Sequence, residues 1–176
     1  MAKTYPTLGP FVAGAVLTAA QMTNIVTYTT NLRVPASVRA YRATNLTGYT
    51  SASAISFSAE AYDTDGMYAG TGTNITVQTS GIYMITLQGL WTATATVTQY
   101  EAIVSLGATP ILRCFENAVS TTAGRFNLSG IVSLTAADVI TAAVSFVGGS
   151  AYVIGGGTDP RADTTSLSLT WVGQTA

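Results

Sequence analysis

Residues 55–91 read ISFSAEAYDTDGMYAGTGTNITVQTSGIYMITLQGLW, and their punctuation decides the fold. Apolar residues alternate at Ile55, Phe57, Ala59 and Ala61, and the run ends in Asp63-Thr64-Asp65-Gly66. A Tyr-Ala-Gly-Thr-Gly segment starting at Tyr68 leads to a short strand, Ile75 and Val77, and then to a Ser80-Gly81 turn. The next strand places Tyr83, Ile85, Leu87 and Trp91 on one face. Period-two alternation broken by Asp-Gly and Ser-Gly predicts antiparallel strands joined by tight turns.

The same pattern continues on both sides. Tyr100, Ala102, Val104 and Leu106 alternate before a turn at Gly107, and Ile111 to Phe115 is another apolar run. Phe126, Leu128, Val132 and Leu134 alternate, Ala136-Ala137-Asp138 makes a corner, and Ile140, Val144 and Phe146 follow. Gly148-Gly149 and Gly155-Gly156-Gly157 read as loops, and Leu167, Leu169 and Trp171 close the series. About eight to ten short strands at such spacing predict an all-β antiparallel sandwich or jelly roll.

Residues 1–35 differ from the rest. Thr4 to Pro10 is expected to be extended, because proline and the residue before it avoid helix. A short helix is expected over Thr18 to Leu32, with Thr18 as N-cap and Met22, Ile25, Val26 and Leu32 as its apolar stripe. The β-branched run Val26-Thr27-Tyr28-Thr29-Thr30 works against it. Phe11 to Ala20 is too short for a bilayer span, which takes about 20 residues. With Met1 in place and Pro6, Gly9 and Pro10 interrupting the segment, it is not expected to be a cleaved leader. We expect two units: 1–35 as a docking arm and 36–176 as the jelly roll.

Composition narrows the function classes. The 176 residues suit one domain with a sizeable core. Charged residues are 9%, against about 25% in ordinary soluble domains. Mean hydropathy is +0.38. A lone monomer with so few charges is poorly protected from association, so much of its surface is expected to be buried between subunits. A net charge of −1 gives no basic face for nucleic acid. Arg33, Arg39 and Arg42 are expected to form a solvated or paired patch. The single cysteine, Cys114, allows no internal disulfide and, with no histidine in the chain, lacks the usual partner of a nucleophilic thiol. It is expected to be an ordinary apolar strand residue.

Taken in order, the strands resemble the globular-head domain of complement's first component, within the tumour-necrosis-factor-like jelly-roll superfamily. The matching pieces are Ser37-Val38-Arg39-Ala40-Tyr41, Ile55-Ser56-Phe57, Tyr68 with Thr71-Gly72, Gly81-Ile82-Tyr83, Ala137-Asp138 and the closing strand Ser166 to Val172. Three departures stand out. There is no collagen-like stalk, Ala137 replaces the family's glycine before the Asp, and Gly107-Ala108 replaces its Asn-Gly hairpin. The resemblance implies a homotrimer with both termini near its base, and a binding or structural role without catalysis. A second resemblance lies in Phe11-Val12-Ala13-Gly14, Val16-Leu17-Thr18-Ala19-Ala20-Gln21-Met22 and Asn24. This phrase is similar to the opening of many tailed-phage virion proteins.

No residue set makes a convincing catalytic, cofactor or metal site. Asp63, Asp65 and Gly66 resemble the start of a calcium loop, but position twelve is Asn74 where an EF-hand needs Glu. The expected reading is a turn whose carboxylates cap their own backbone; the alternative is a calcium site assembled with other loops. Glu60, Glu101 and Glu116 could in principle pair as glycosidase carboxylates, but strand edges or trimer contacts are expected for them. Gly155-Gly156-Gly157 opens no helix and so cradles no phosphate. Asn45-Leu46-Thr47, Asn74-Ile75-Thr76 and Asn127-Leu128-Ser129 fit the glycosylation triplet, which a Thr-rich chain yields by chance. Tyr83, Trp91, Phe126, Phe146 and Trp171 are expected in the core or on a trimer axis. Tyr49, Tyr62, Tyr68 and Tyr152 are expected near turns, mostly packed locally.

The expected function is therefore that of a non-enzymatic bacteriophage virion protein. It would be a surface-exposed homotrimer whose residues 1–35 dock onto other virion proteins, with no cofactor and no membrane insertion. A tail-associated, host-facing role in adsorption is expected, its contact a host cell-surface glycan or protein. The alternatives are capsid decoration and a secreted lectin-like module.

Overall fold

The computed structural model describes residues 2, 3, 6, 8–10, 14–157 and 164–175, without the side chains of 118–121. Thr4, Tyr5, Thr7 and Phe11 to Ala13 lie outside the described residues, and with them part of the expected extended segment and the start of the phage-like phrase. One helix, α1 (Ala19–Arg33), precedes nine strands: β1 (Ser37–Tyr41), β2 (Leu46–Tyr49), β3 (Ala59–Asp63), β4 (Ile75–Thr76), β5 (Gly81–Leu106), β6 (Thr109–Leu134), β7 (Val139–Gly148), β8 (Tyr152–Ile154) and β9 (Ser166–Gly173). Every strand pairing is antiparallel.

The strands expected to be short and separate are partly merged. β5 and β6 each run for 26 residues and pair along most of their length. Their register slips between Thr92 and Val97, where the ribbon bends and passes from one layer to the other. In the first layer the N-terminal half of β5 lies between β6 and β9, and β9 pairs in turn with β1. In the second, the C-terminal half of β5 pairs with β7. The turn between β5 and β6 is the two residues Gly107-Ala108, with positive φ at Gly107 and not at Ala108. That pattern matches a type II′ hairpin, which needs glycine only at its first central position.

The core lies between the layers. Ile85 and Leu87 of β5, Leu167 and Leu169 of β9 and Val38 of β1 meet Val104 of β5, Ile140 and Val144 of β7, and Ile75, all at 0% exposure. Tyr83, Trp91, Phe126, Phe146 and Trp171 are buried as expected. Gly81 is required by this packing, since a Cβ there would lie 2.0 Å from the Trp171 indole nitrogen.

One expectation is corrected. Ile55 to Ala61 is not one strand. Ile55 N–H donates to Ala142 of the second layer (2.7 Å), whereas Ser58 N–H donates to Tyr41 of the first (3.0 Å). The segment changes layers at Phe57, which is buried, so the alternation survives at Ile55 and Phe57 while the strand starts only at Ala59. The helix forms with Thr18 as N-cap in a capping box with Gln21. Its apolar stripe is not turned into the core. No residue of α1 is buried, and Met22, Val26 and Leu32 are all exposed.

Ala137 carries a testable strain. Its φ is +75°, a left-handed conformation that costs a residue with a Cβ about 1–2 kcal/mol. The corner is nevertheless fixed: Ala137 N–H donates to Val77 and Val77 N–H to Asp138, both at 2.8 Å. Ala137→Gly relieves the strain and loses part of the gain to chain entropy, so it should stabilise the fold by about 0.5–1 kcal/mol in denaturant unfolding. A destabilised variant would contradict this reading.

Candidate functional site

The Asp63–Gly66 turn is spent on structure. Asp63 Oδ1 accepts from Asp65 N–H (3.0 Å) and Gly66 N–H (2.8 Å), and its Oδ2 accepts from Tyr68 N–H (2.8 Å). This carboxylate caps its own backbone, as an Asx-type turn requires. Asp65 points the other way and is 1% exposed. Thr79 Oγ1 lies 2.8 Å from Asp65 Oδ2 and accepts the Lys3 N–H at 2.8 Å, with the Lys3 carbonyl at 3.0 Å. The Lys3 ammonium donates to the Val34 carbonyl. The N-terminal residues thus dock on the end of the chain's own jelly roll, beside the entry to β1.

The other polar residues singled out from the sequence are dispersed. Glu101 pairs with Arg113 at 3.1 Å, Glu116 accepts from the Tyr100 hydroxyl, and Glu60 is exposed on β3. Burial and the Glu116 carboxylate both push the Tyr100 phenol well above its ordinary pKa. Cys114 is half-buried on β6 opposite Ala102. Among the described residues, no group of three His, Cys, Asp or Glu side chains could hold a metal ion. No described helix is long and apolar enough to cross a membrane.

The arginine patch is corrected in part. Arg33 is exposed and Arg39 reaches Ser166 Oγ at 3.3 Å. Arg42 is buried and gives its guanidinium to the carbonyls of Ser56 (2.7 Å), Thr44 (3.1 Å) and Asn45 (3.5 Å). Its burial lowers its pKa. The glycine run beyond β8 is structural too. Gly155, Gly156 and Gly157 donate their N–H groups to Leu90, to Asn45 Oδ1 and to Arg42, each at 2.9 Å. A Cβ at Gly156 would sit 2.1 Å from the Thr44 carbonyl, so close approach of two backbones explains it. Asn74 is exposed beside β4, and Asn127 is exposed on β6.

The turn tyrosines mostly pack locally. The Tyr49 hydroxyl accepts Val144 N–H (2.9 Å) and holds the 50–53 turn against β7 through the Ser53 carbonyl. Tyr68 is buried, and burial raises its pKa to about 12. Tyr152 stacks on Phe146 at 4.3 Å, and only Tyr62 is well exposed.

What remains is a surface. On the outward face of the first layer, Met84 lies opposite Ile131 and Thr170, Thr86 opposite Ser129 and Ser168, and Gln88 opposite Asn127 and Ser166. None of these nine residues is charged; Ser166 is buried against Arg39, whereas Met84 and Ile131 are 46% and 69% exposed. Sequence reading fixed the inward residues and passed over the outward ones. The signal was present in the uncharged even positions from Ile82 to Gln88.

Comparison with solved structures settles the architecture. Murine APRIL is similar over 77% of this chain and 98% of its own, with TM-score 0.56 and 14% identity. This chain shares its fold, an antiparallel jelly roll. Eiger TNF from S. frugiperda is similar over 80% of this chain and 94% of its own (TM-score 0.57, 11% identity), and the globular domain of zebrafish complement 1qA over 79% and 98% (TM-score 0.54, 7% identity). At such identities the likeness establishes the fold alone. No protein-family model and no curated protein matches the chain.

In this jelly roll, Asp65 provides a pH test. Burial is the largest influence on its carboxyl and raises its pKa, with the Thr79 hydrogen bond working in the opposite direction. A raised carboxyl favours the protonated folded state, so its contribution to stability is present below the ordinary carboxylate range and is lost as pH rises through the folded value. Asp65→Asn should therefore gain stability relative to the native chain between pH 4 and pH 7, read as the difference in melting temperature. A difference that stays constant with pH would refute the assignment.

Proposed function

We propose that this chain is a non-enzymatic structural and binding protein that works as a homotrimer. The observation that carries this reading is the uncharged face of β5, β6 and β9. Serine, threonine and amide side chains around Met84 and Ile131 suit burial against a second copy, because the nearest charges, Arg39 and Arg125, lie at the margins of the patch. The 9% charge content supports it, since an exposed surface this poor in charge invites association.

Within that reading, we place the protein on a bacteriophage particle, anchored through residues 1–35. The support is the Val16-Leu17-Thr18-Ala19-Ala20-Gln21-Met22 phrase and the exposure of α1. An isolated helix of this length is marginal in water, so an exposed one is suited to docking. Lys3, Thr79 and Ser37 gather at one end of the jelly roll, while the bend of β5 at 92–96 and the 149–151 turn lie at the other. Anchoring by the first end leaves the second facing outward, which suits a tail-associated, host-facing role in adsorption. Many weak contacts per particle would then add through avidity.

Two measurements test this. Solution mass of the native chain at micromolar concentration should be three times the chain mass, and Met84→Lys with Ile131→Lys should weaken association at least about tenfold, about 1.4 kcal/mol, with the circular dichroism unchanged. A native monomer would overturn the trimer. Antibody labelling of imaged particles should mark the tail. Label spread over the head would instead identify capsid decoration, and unlabelled particles would overturn the virion reading.

A further inference from the structure

Between β3 and β5 the segment Gly66–Gln78 folds into a concavity of about 550 Å³ on the flank of the jelly roll. The segment is held rigidly. Asp63 caps its start through Gly66 and Tyr68, Thr76 N–H donates to the Met67 carbonyl (2.8 Å), and Gly72 exchanges two hydrogen bonds with Phe57 (2.7 and 3.0 Å). Met67, Tyr68, Ile75 and Val77 pin it to the core. A site that exists before its ligand arrives loses little conformational entropy on binding.

The lining is uncharged throughout and combines hydrogen-bonding groups with the exposed methyl of Ala69, while the Met67 and Tyr68 side chains are turned into the core. Several of its polar groups are uncommitted. Asn74 uses its Oδ1 to accept from Thr73 (2.8 Å), which leaves its amide N–H groups open. Gln78 donates to the Thr76 carbonyl (3.2 Å), which leaves its Oε1 open. The Thr71 and Thr76 hydroxyls also face no partner among the described residues. Donors and acceptors therefore stand side by side with no net charge.

We infer that this concavity is a binding site for a neutral saccharide. Sugar hydroxyls both donate and accept, as open amides and hydroxyls require. The volume is within the range of small-ligand sites. Charged ligands are disfavoured by the chemistry present. Arg42, the nearest buried cation, is consumed by three carbonyls, and Asp63 is consumed by three backbone N–H groups. The concavity begins beside Asp65 and ends beside Thr79, at the end of the jelly roll where Lys3 docks, so the inference stands apart from the host-facing reading.

The test is saturation-transfer NMR on the purified full chain. The probes are the methyl glycosides of glucose, galactose, mannose and N-acetylglucosamine, with sialic acid and glucuronate as charged comparisons. At least one neutral glycoside should receive saturation at about 10 mM, consistent with a millimolar site. Asn74→Ala with Gln78→Ala should reduce that transfer at least about fivefold while the melting temperature stays within about 2 °C. Transfer to no neutral glycoside, equal transfer in the double variant, or preference for the acidic sugars would each overturn the inference. Because the readout uses isolated protein, its failure leaves the particle location untouched, and unlabelled particles leave the saccharide result standing.

Discussion

Trp91 occupies the corner where β5 leaves one layer for the other, and the sandwich is assembled around it. Its ring meets Tyr100 at 5.4 Å and Phe146 at 5.2 Å, both edge-on, and Phe146 in turn packs edge-on against Tyr49 at 6.3 Å. This cluster joins the two halves of β5 to β7 and to the turn after β2. Such edge-to-face pairs add specific geometry to a large apolar burial. The neighbouring strand yields space for it, because a Cβ on Gly124 would stand 2.8 Å from the indole. With Gly124 opposite Trp91, two strands of 26 residues can turn the corner together. Without that accommodation, the long ribbon would have to split or leave a void.

Most of this was legible in the sequence, and the exceptions have physical causes. Tyr83, Ile85, Leu87 and Trp91 announced an inward face because a strand has period two. Thr18 with Gln21 announced a helix start because the capping box is local chemistry. Continuity through Thr92–Val97 was not legible, since a bend in a paired ribbon depends on the partner strand. The break at Phe57 was hidden for the same reason: an alternating run looks identical whether it stays in one layer or crosses between two. Arg42 shows the limit of reading charge from the sequence, because its three carbonyl partners come from backbone that no residue pattern reveals.

The candidate site was less legible than the fold. Residues noticed for their chemistry, Asp63, Asp65, Arg42 and the Gly155–Gly157 run, are occupied in holding loops together. The surfaces with open hydrogen-bonding capacity are made of threonine, serine, asparagine and glutamine, which carry no signature. A jelly roll places no constraint on chemistry, so function rests on surfaces and not on the fold.

The attachment of Lys3 has a mechanical consequence. Because Lys3 bonds both Thr79 and Val34, tension on α1 has two routes into the domain. One runs through Val34 into β1, which lies between β3 and β9 and is bonded to both. A pull along that strand loads its ladder in shear, so the bonds must give way together and not in sequence. The other route, through the Thr79 hydroxyl, carries only a local share and can yield first. A domain held in this way would give a little under load before its sheet is at risk.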